Sequence, residues 1–319
     1  MSNPSQPGKM VLPVILILAV VFAVIIFPPM GALVGVLAPA PLIFIYLQRG
    51  QVAGLILMGL VFVVLLLLAG PAQAMLFAAE YVVMATILAE TVKAQLTMDK
   101  CIFLSALGSM ILATFLLFVL FGGESSLIDF FQKQITKHFD LSIEALKSMG
   151  ENQADLDSMQ EVLNETSRTF ASAYPAFIMV GSLVTAAVNF FLVRFLWIKL
   201  YGQTLFLQEK FSELVLPDFL VWLLIGSSAS LFFIGSPVGT VGINLFALVM
   251  LAYFFQGLAV TVHILKSKNA HFLIWILVFF LIVIQPILMG LVIGLGVFDI
   301  WLDFRKIRKI NPTSGFHTP

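Results

Sequence analysis

The chain has 319 residues, 61% of them hydrophobic and 11% charged, with a mean hydropathy of +1.07. A soluble globule runs nearer to about 45–50% apolar and about 25% charged, so this composition excludes one and identifies a polytopic membrane protein. Seventeen basic and seventeen acidic residues cancel, leaving no basic surplus for nucleic acid, and the single cysteine, Cys101, excludes an internal disulfide and any cysteine-rich metal site.

Lys9 precedes an apolar run over 11–27 that resembles a secretion signal. The only small-x-small site nearby, Ala38-Pro39-Ala40, is followed by Pro41 and lies beyond the turn at Pro28-Pro29, so the run reads as an uncleaved first helix. Further apolar runs occupy 30–47, 52–69, 72–92, 101–121, 174–198, 218–234 and 240–265, each near the roughly 20 residues that cross a bilayer. The last, 272–301, is long for one crossing and has Pro286 at its middle, so it is a kinked helix or a hairpin. The predicted fold class is all-α: a polytopic integral membrane helical bundle of about nine or ten segments.

Basic residues orient such a chain, because they stay on the cytoplasmic side in short loops. Lys9, Arg49, Lys93 with Lys100, Lys199 with Lys210, and Lys266 with Lys268 fall in alternate loops, which predicts a cytoplasmic N-terminus. Arg305, Lys306, Arg308 and Lys309 then favour a hairpin at Pro286, since a single crossing would put them outside.

Residues 122–173 carry nine acids against four bases and belong outside. Leu127, Phe131, Ile135 and Phe139, then Leu156, Met159, Leu163 and Phe170, recur at helical spacing, predicting two amphipathic helices joined near Gly150-Glu151-Asn152 with their stripes facing each other. Gln203 to Leu216 interleaves apolar and charged residues and predicts a short interfacial helix on the inner side. The chain therefore divides into four parts: membrane segments over 1–121, an extracytoplasmic helical hairpin over 122–173, membrane segments over 174–304, and a basic cytoplasmic tail over 305–319.

Polar residues inside the spans are the candidate sites. Glu80 lies mid-span, where an ionisable group costs several kcal/mol unless it is neutral, paired or facing a wet cavity. Tyr253, Gln256, Val260 and His263 share one stripe of their helix, which must face protein because lipid cannot satisfy an amide. Asn189 lies at a depth comparable to Gln256, so the two amides could meet each other or a ligand. Glu90 suits a surface pair with Lys93 or a buried pair with Arg194. Asp299 and Asp303 are one turn apart, but the bases just beyond them, with an Asp303–Lys306 pair at i,i+3, argue against a metal. No nucleophile, metal-binding or nucleotide motif appears, so neither an enzyme nor a cofactor is expected.

Four stretches, LAPAPLIFIYLQRG (37–50), FSELVLPDFLVW (211–222), FFQGLAV (254–260) and GLGVFDIWLDFRK (294–306), carry a resemblance to the YybS-like family of uncharacterised bacterial membrane proteins. That family is distantly similar to the substrate-binding S components of energy-coupling-factor importers, whose first helix docks a coupling subunit through small residues. Ala19 and Ala23 have that spacing here, which implies partner membrane subunits besides the bilayer. The resemblance implies a solute-binding or transport-related module in which Glu80, Asn189, Gln256 and Tyr253 line a cavity. The alternative is a scaffold recruiting envelope proteins through its outer hairpin and cytoplasmic elements.

Overall fold

A computed structural model describes residues 35–121, 126–148, 153–202, 205–207 and 210–307. The expected first span, the Ala19 and Ala23 face, the hairpin tip near Gly150 and the bases Arg308 and Lys309 lie outside the described residues. The chain divides into two compact units, Met1–Gln208 and Glu209–Pro319.

In the first unit α1 (Pro39–Arg49), α2 (Gln51–Ala69) and α3 (Pro71–Lys93) succeed one another closely, and α4 (Met98–Phe121) runs back beside α3. Within the expected span 30–47, residues 36–38 form a turn and the helix α1 starts at Pro39, since a proline at the start of a helix fixes its first turn and needs no N–H partner there. A hairpin of α5 (Leu127–Ser148) and α6 (Gln153–Ser172) leads to α7 (Tyr174–Tyr201), which packs on α4 and α1. Ser105, Ala106, Ser109 and Ala113 make a buried small-residue seam on α4. Ser105 and Ser109 return their hydroxyls to carbonyls of their own helix, so the seam carries no unmet donor. Cys101 is buried, as a core thiol should be.

The hairpin opens on a reciprocal cap in which Ser126 Oγ accepts from the Asp129 N–H and the Asp129 carboxylate accepts from the Ser126 N–H, each at 3.2 Å. Its two helices pack together, with Thr136 and Ser167 hydroxyls 3.5 Å apart and Leu127 and Ile143 buried. The expected stripe holds only in part. Met159 and Phe170 are exposed, and Phe170 instead stacks on Phe177 of α7 at 6.2 Å.

The second unit is built on α9 (Pro237–Ser267), flanked by α8 (Leu220–Ser230) and α11 (Pro286–Leu302), with α10 (Phe272–Ile284) against α11. α9 starts cleanly because Ser236 caps it, accepting from the Gly239 N–H at 3.2 Å, with Pro237 in the first turn. At Gln285-Pro286 the chain bends by 104° between α10 and α11, since proline withholds a donor and its ring clashes with the preceding turn.

Among the described residues five helices are long and apolar enough to cross a bilayer, α2, α3, α4, α7 and α9, and the bent α10–α11 pair is a sixth candidate. The run 218–234 yields a shorter apolar helix, Leu220–Phe233, that ends in a 3₁₀ turn. Val52, Leu60, Leu67 and Leu68 of α2 face outward. Such a continuous apolar surface is covered by lipid in a membrane protein and by nothing in water.

The interfacial helix expected over Gln203 to Leu216 does not form among the described residues, which hold one 3₁₀ turn, Phe211–Glu213. Two backbone groups of this strap are taken by distant side chains: the Leu216 N–H by Gln256 and the Ser212 carbonyl by Arg305. Each capture removes a group that an α-helix would use, and Pro217 blocks continuation.

Candidate functional site

Glu80 sits in a single π-helical turn, Ala78–Val82, inside α3. Here the Val83 N–H reaches back five residues to the Ala78 carbonyl. One extra residue in the turn rotates the remainder of the helix, and such turns gather at functional sites. The Val82 carbonyl accepts from the Thr86 hydroxyl at 2.8 Å. The turn packs against α4 and α1, and Tyr81 directs its hydroxyl toward Gly35. Glu80 is half-buried, and among the described residues nothing donates a hydrogen bond to it and no base pairs with it.

Glu90, ten residues on, has a different setting. Tyr46 of α1 donates to its carboxylate at 2.6 Å and Lys93 pairs with the same oxygen at 3.0 Å, while the ammonium lies 4.3 Å from the Tyr46 ring centre. The Lys93 pair weighed from the sequence forms, and Tyr46 is a partner that no local spacing announces. Arg194 is half-buried on α7. On the same helix Asn189 is fully buried and donates to the Val36 and Thr185 carbonyls, each at 2.7 Å. The amide thus ties α7 to the turn before α1, and its carbonyl oxygen is buried with no partner among the described residues. A small cleft nearby, lined by Leu96, Cys101, Phe190 and Phe206 among others, is too tight for water and includes neither Glu80 nor Asn189.

The polar stripe of α9 lies in the second unit. Tyr253, Gln256 and Val260 are fully buried, and His263, near the end of the helix, is half-buried. Gln256 uses both ends of its amide: Oε1 accepts from the Leu216 N–H at 3.0 Å, and Nε2 donates to Asp299 Oδ2 at 3.2 Å. The same carboxylate oxygen takes Arg305 Nη2 at 2.6 Å, and Arg305 Nη1 donates to the Ser212 carbonyl at 2.9 Å. Both charged side chains are almost wholly buried, at 1% and 3% exposure. Asp299 Oδ1 and Arg305 Nε are buried without partners among the described residues.

This network contains the residues that local spacing missed. α11 ends at Leu302, and Asp303 takes a left-handed conformation, φ 42°. Asp299 and Asp303 therefore share no helical face. The Asp303 carboxylate accepts from the Ile307 N–H at 3.0 Å, and the chain doubles back to carry Arg305 under Asp299. Arg305, read from the sequence as the first of a run of surface bases, is a core residue. The available signal was the placing of Ser212, Gln256, Asp299 and Arg305 within three of the four stretches that carry the family resemblance.

Replacing Gln256 by leucine strands the Leu216 N–H and removes one of the donors to the Asp299 carboxylate. A loss of about 1–3 kcal/mol is expected, larger than for a lone interhelical bond of about 0.6 kcal/mol, read by thermal melting in detergent. A loss below that smaller figure would show that the network does not act as a unit.

Among the described residues no group of three or more His, Cys, Asp or Glu side chains could hold a metal ion. No curated protein matches the chain, and no solved structure does. A family model described as "Predicted membrane protein (DUF2232)" matches residues 14–300. That match spans nearly the whole of a chain with several bilayer-length helices, so the protein belongs to this family of membrane proteins.

Proposed function

We propose that the protein is a solute-binding or transport-related module of the bacterial cytoplasmic membrane, with Glu80 at its working centre. The observation that carries this reading is the setting of Glu80: a carboxyl midway along a bilayer-length helix, on a π turn, with no base or hydrogen-bond donor among the described residues. A group of that cost persists where it serves a ligand or an ion path. Asn189, with its buried carbonyl oxygen, is the second candidate in the same unit. Tyr253 and Gln256 are candidates in the other unit, where Gln256 already has protein partners at both ends. The finer resemblance to YybS-like proteins and to S components points the same way by analogy of fold, and Ala19 with Ala23 would be the docking face for a partner subunit.

The scaffold reading has one observation of its own, the exposed Met159, Val162 and Phe170 on α6. Native mass spectrometry of the purified protein separates the two. A copurified small molecule released by Glu80→Gln supports the transport module. A stoichiometric protein subunit lost on polar substitution of Val162 and Phe170, with no small molecule, supports the scaffold and overturns the first reading.

The orientation that fits the charge pattern puts the N-terminus and the strap over 210–216 inside and the α5–α6 hairpin outside. The α10–α11 pair would enter and leave on the inner face, since limbs of 13 and 17 residues span only about 20–25 Å each. In a Cys101→Ser background, a cysteine at the exposed position Lys133 should react with an impermeant maleimide added outside intact cells, and one at Lys210 should not. The reverse pattern would invert the topology.

A further inference from the structure

We propose that Glu80 is a cation-exchange site, where a proton and a small monovalent cation such as sodium compete for the carboxylate. The inference rests on the transport reading and names what would drive it.

Glu80 differs from Glu90, which is exposed, and from Asp299, which is buried: each of those has a counter-charge within 3.0 Å. Glu80 has none among the described residues. The charged and titratable groups on the elements packed around it stand well away along the helix axes. On α3 itself, Glu90 and Lys93 come ten and thirteen residues later, about 15 and 20 Å along the helix, and are engaged with each other and with Tyr46. On α4, Asp99 and Lys100 lie at the first turn, at least about 12 Å from Gly108, the point where α4 meets Val83 and Ile87 of α3. On α1, Tyr46 is bonded to Glu90, and Arg49 lies at the helix end. α2 carries no charge, and residues 1–34 contain one charged side chain, Lys9. The adjacent Tyr81 is a neutral phenol.

Among the described residues no side chain is therefore positioned to neutralise Glu80, and a bare carboxylate is not stable at this depth. Its counter-ion has to be mobile. A carboxylate offers hard oxygen ligands, which suit a proton or a hard cation. One carboxylate balances one positive charge, which favours a monovalent ion over a divalent one.

The test uses the hydrophobic reagent dicyclohexylcarbodiimide on the purified full-length protein in detergent. A protonated carboxyl in an apolar site adds across the reagent's C=N bond, and the adduct rearranges to a stable acylurea. Peptide mass mapping should place one adduct at Glu80. Its rate should fall about tenfold for each pH unit beyond the midpoint of its titration. If sodium chloride slows the reaction relative to choline chloride at fixed pH, the cation arm holds; if only pH matters, the site is a proton carrier. No adduct at Glu80 in folded protein would overturn the proposal. So would an adduct indifferent to both pH and sodium, because that marks a permanently neutral structural acid. Mapping reads wild-type protein, so the outcome does not depend on whether Glu80→Gln folds, and Glu80→Asp should keep the pH dependence with a shifted midpoint. A copurified solute beside an unreactive Glu80 would leave the transport reading standing and remove this one. A titrating Glu80 with no solute would do the reverse.

Discussion

Replacing Arg305 by methionine is expected to destabilise the unit over residues 209–319 by about 3–5 kcal/mol, because it leaves the Asp299 carboxylate buried with only the Gln256 amide for company. The guanidinium is 2.6 Å from that carboxylate and also holds the Ser212 carbonyl, so the substitution releases the 210–216 strap as well. The double variant Asp299→Leu/Arg305→Met should recover much of the loss, since an apolar pair of similar volume carries no desolvation cost. Thermal melting of the single and double variants measures both. If the double variant melts no higher than Arg305→Met, the pair is not what holds this corner together.

A second large effect is expected where α9 and α11 touch. A side chain at Gly257 would run into the carbonyl of Val292, and one at Gly296 into the carbonyl of Tyr253. The two helices meet backbone to backbone, the close approach that small residues permit in membranes, and backbone atoms cannot yield as a rotamer can. Gly257→Leu should therefore cost more than about 3 kcal/mol, beyond ordinary overpacking, and Gly296→Ala should already be harmful. Gly290 and Gly294, on the same α11, face open space. Alanine there should be neutral or stabilising by up to about 1 kcal/mol through helix propensity. Equal melting of Gly296→Ala and Gly294→Ala would refute the distinction.

The sequence reveals those parts of this protein that rest on local periodicity. The apolar spans are legible because lipid imposes length and composition on each helix separately, and the buried side of α9 is legible because Tyr253, Gln256 and His263 are too polar for lipid. What fails depends on contacts between distant segments. The 203–216 stretch has the pattern of an amphipathic helix, yet two of its backbone groups are claimed by residues 40 and 93 positions away. Arg305 has the spacing of a headgroup anchor and becomes core only because the chain leaves the helix at Asp303. The π turn at Glu80 leaves no trace in the pattern either, since one extra residue in an apolar run looks like any other. The charge at Glu80 was conspicuous, but the irregular turn that carries it was not.

The order of the network's residues along the chain sets an order for its assembly during biosynthesis. A ribosome delivers the strap first, then α9 with its amide, then Asp299, and only afterwards the guanidinium that neutralises the carboxylate. Between Asp299 and Arg305, six residues apart, the growing chain holds an acid without its base. Chains interrupted between Asp299 and Arg305 would stall in that state. Arg305 thus closes the network only after every other member of it has been made.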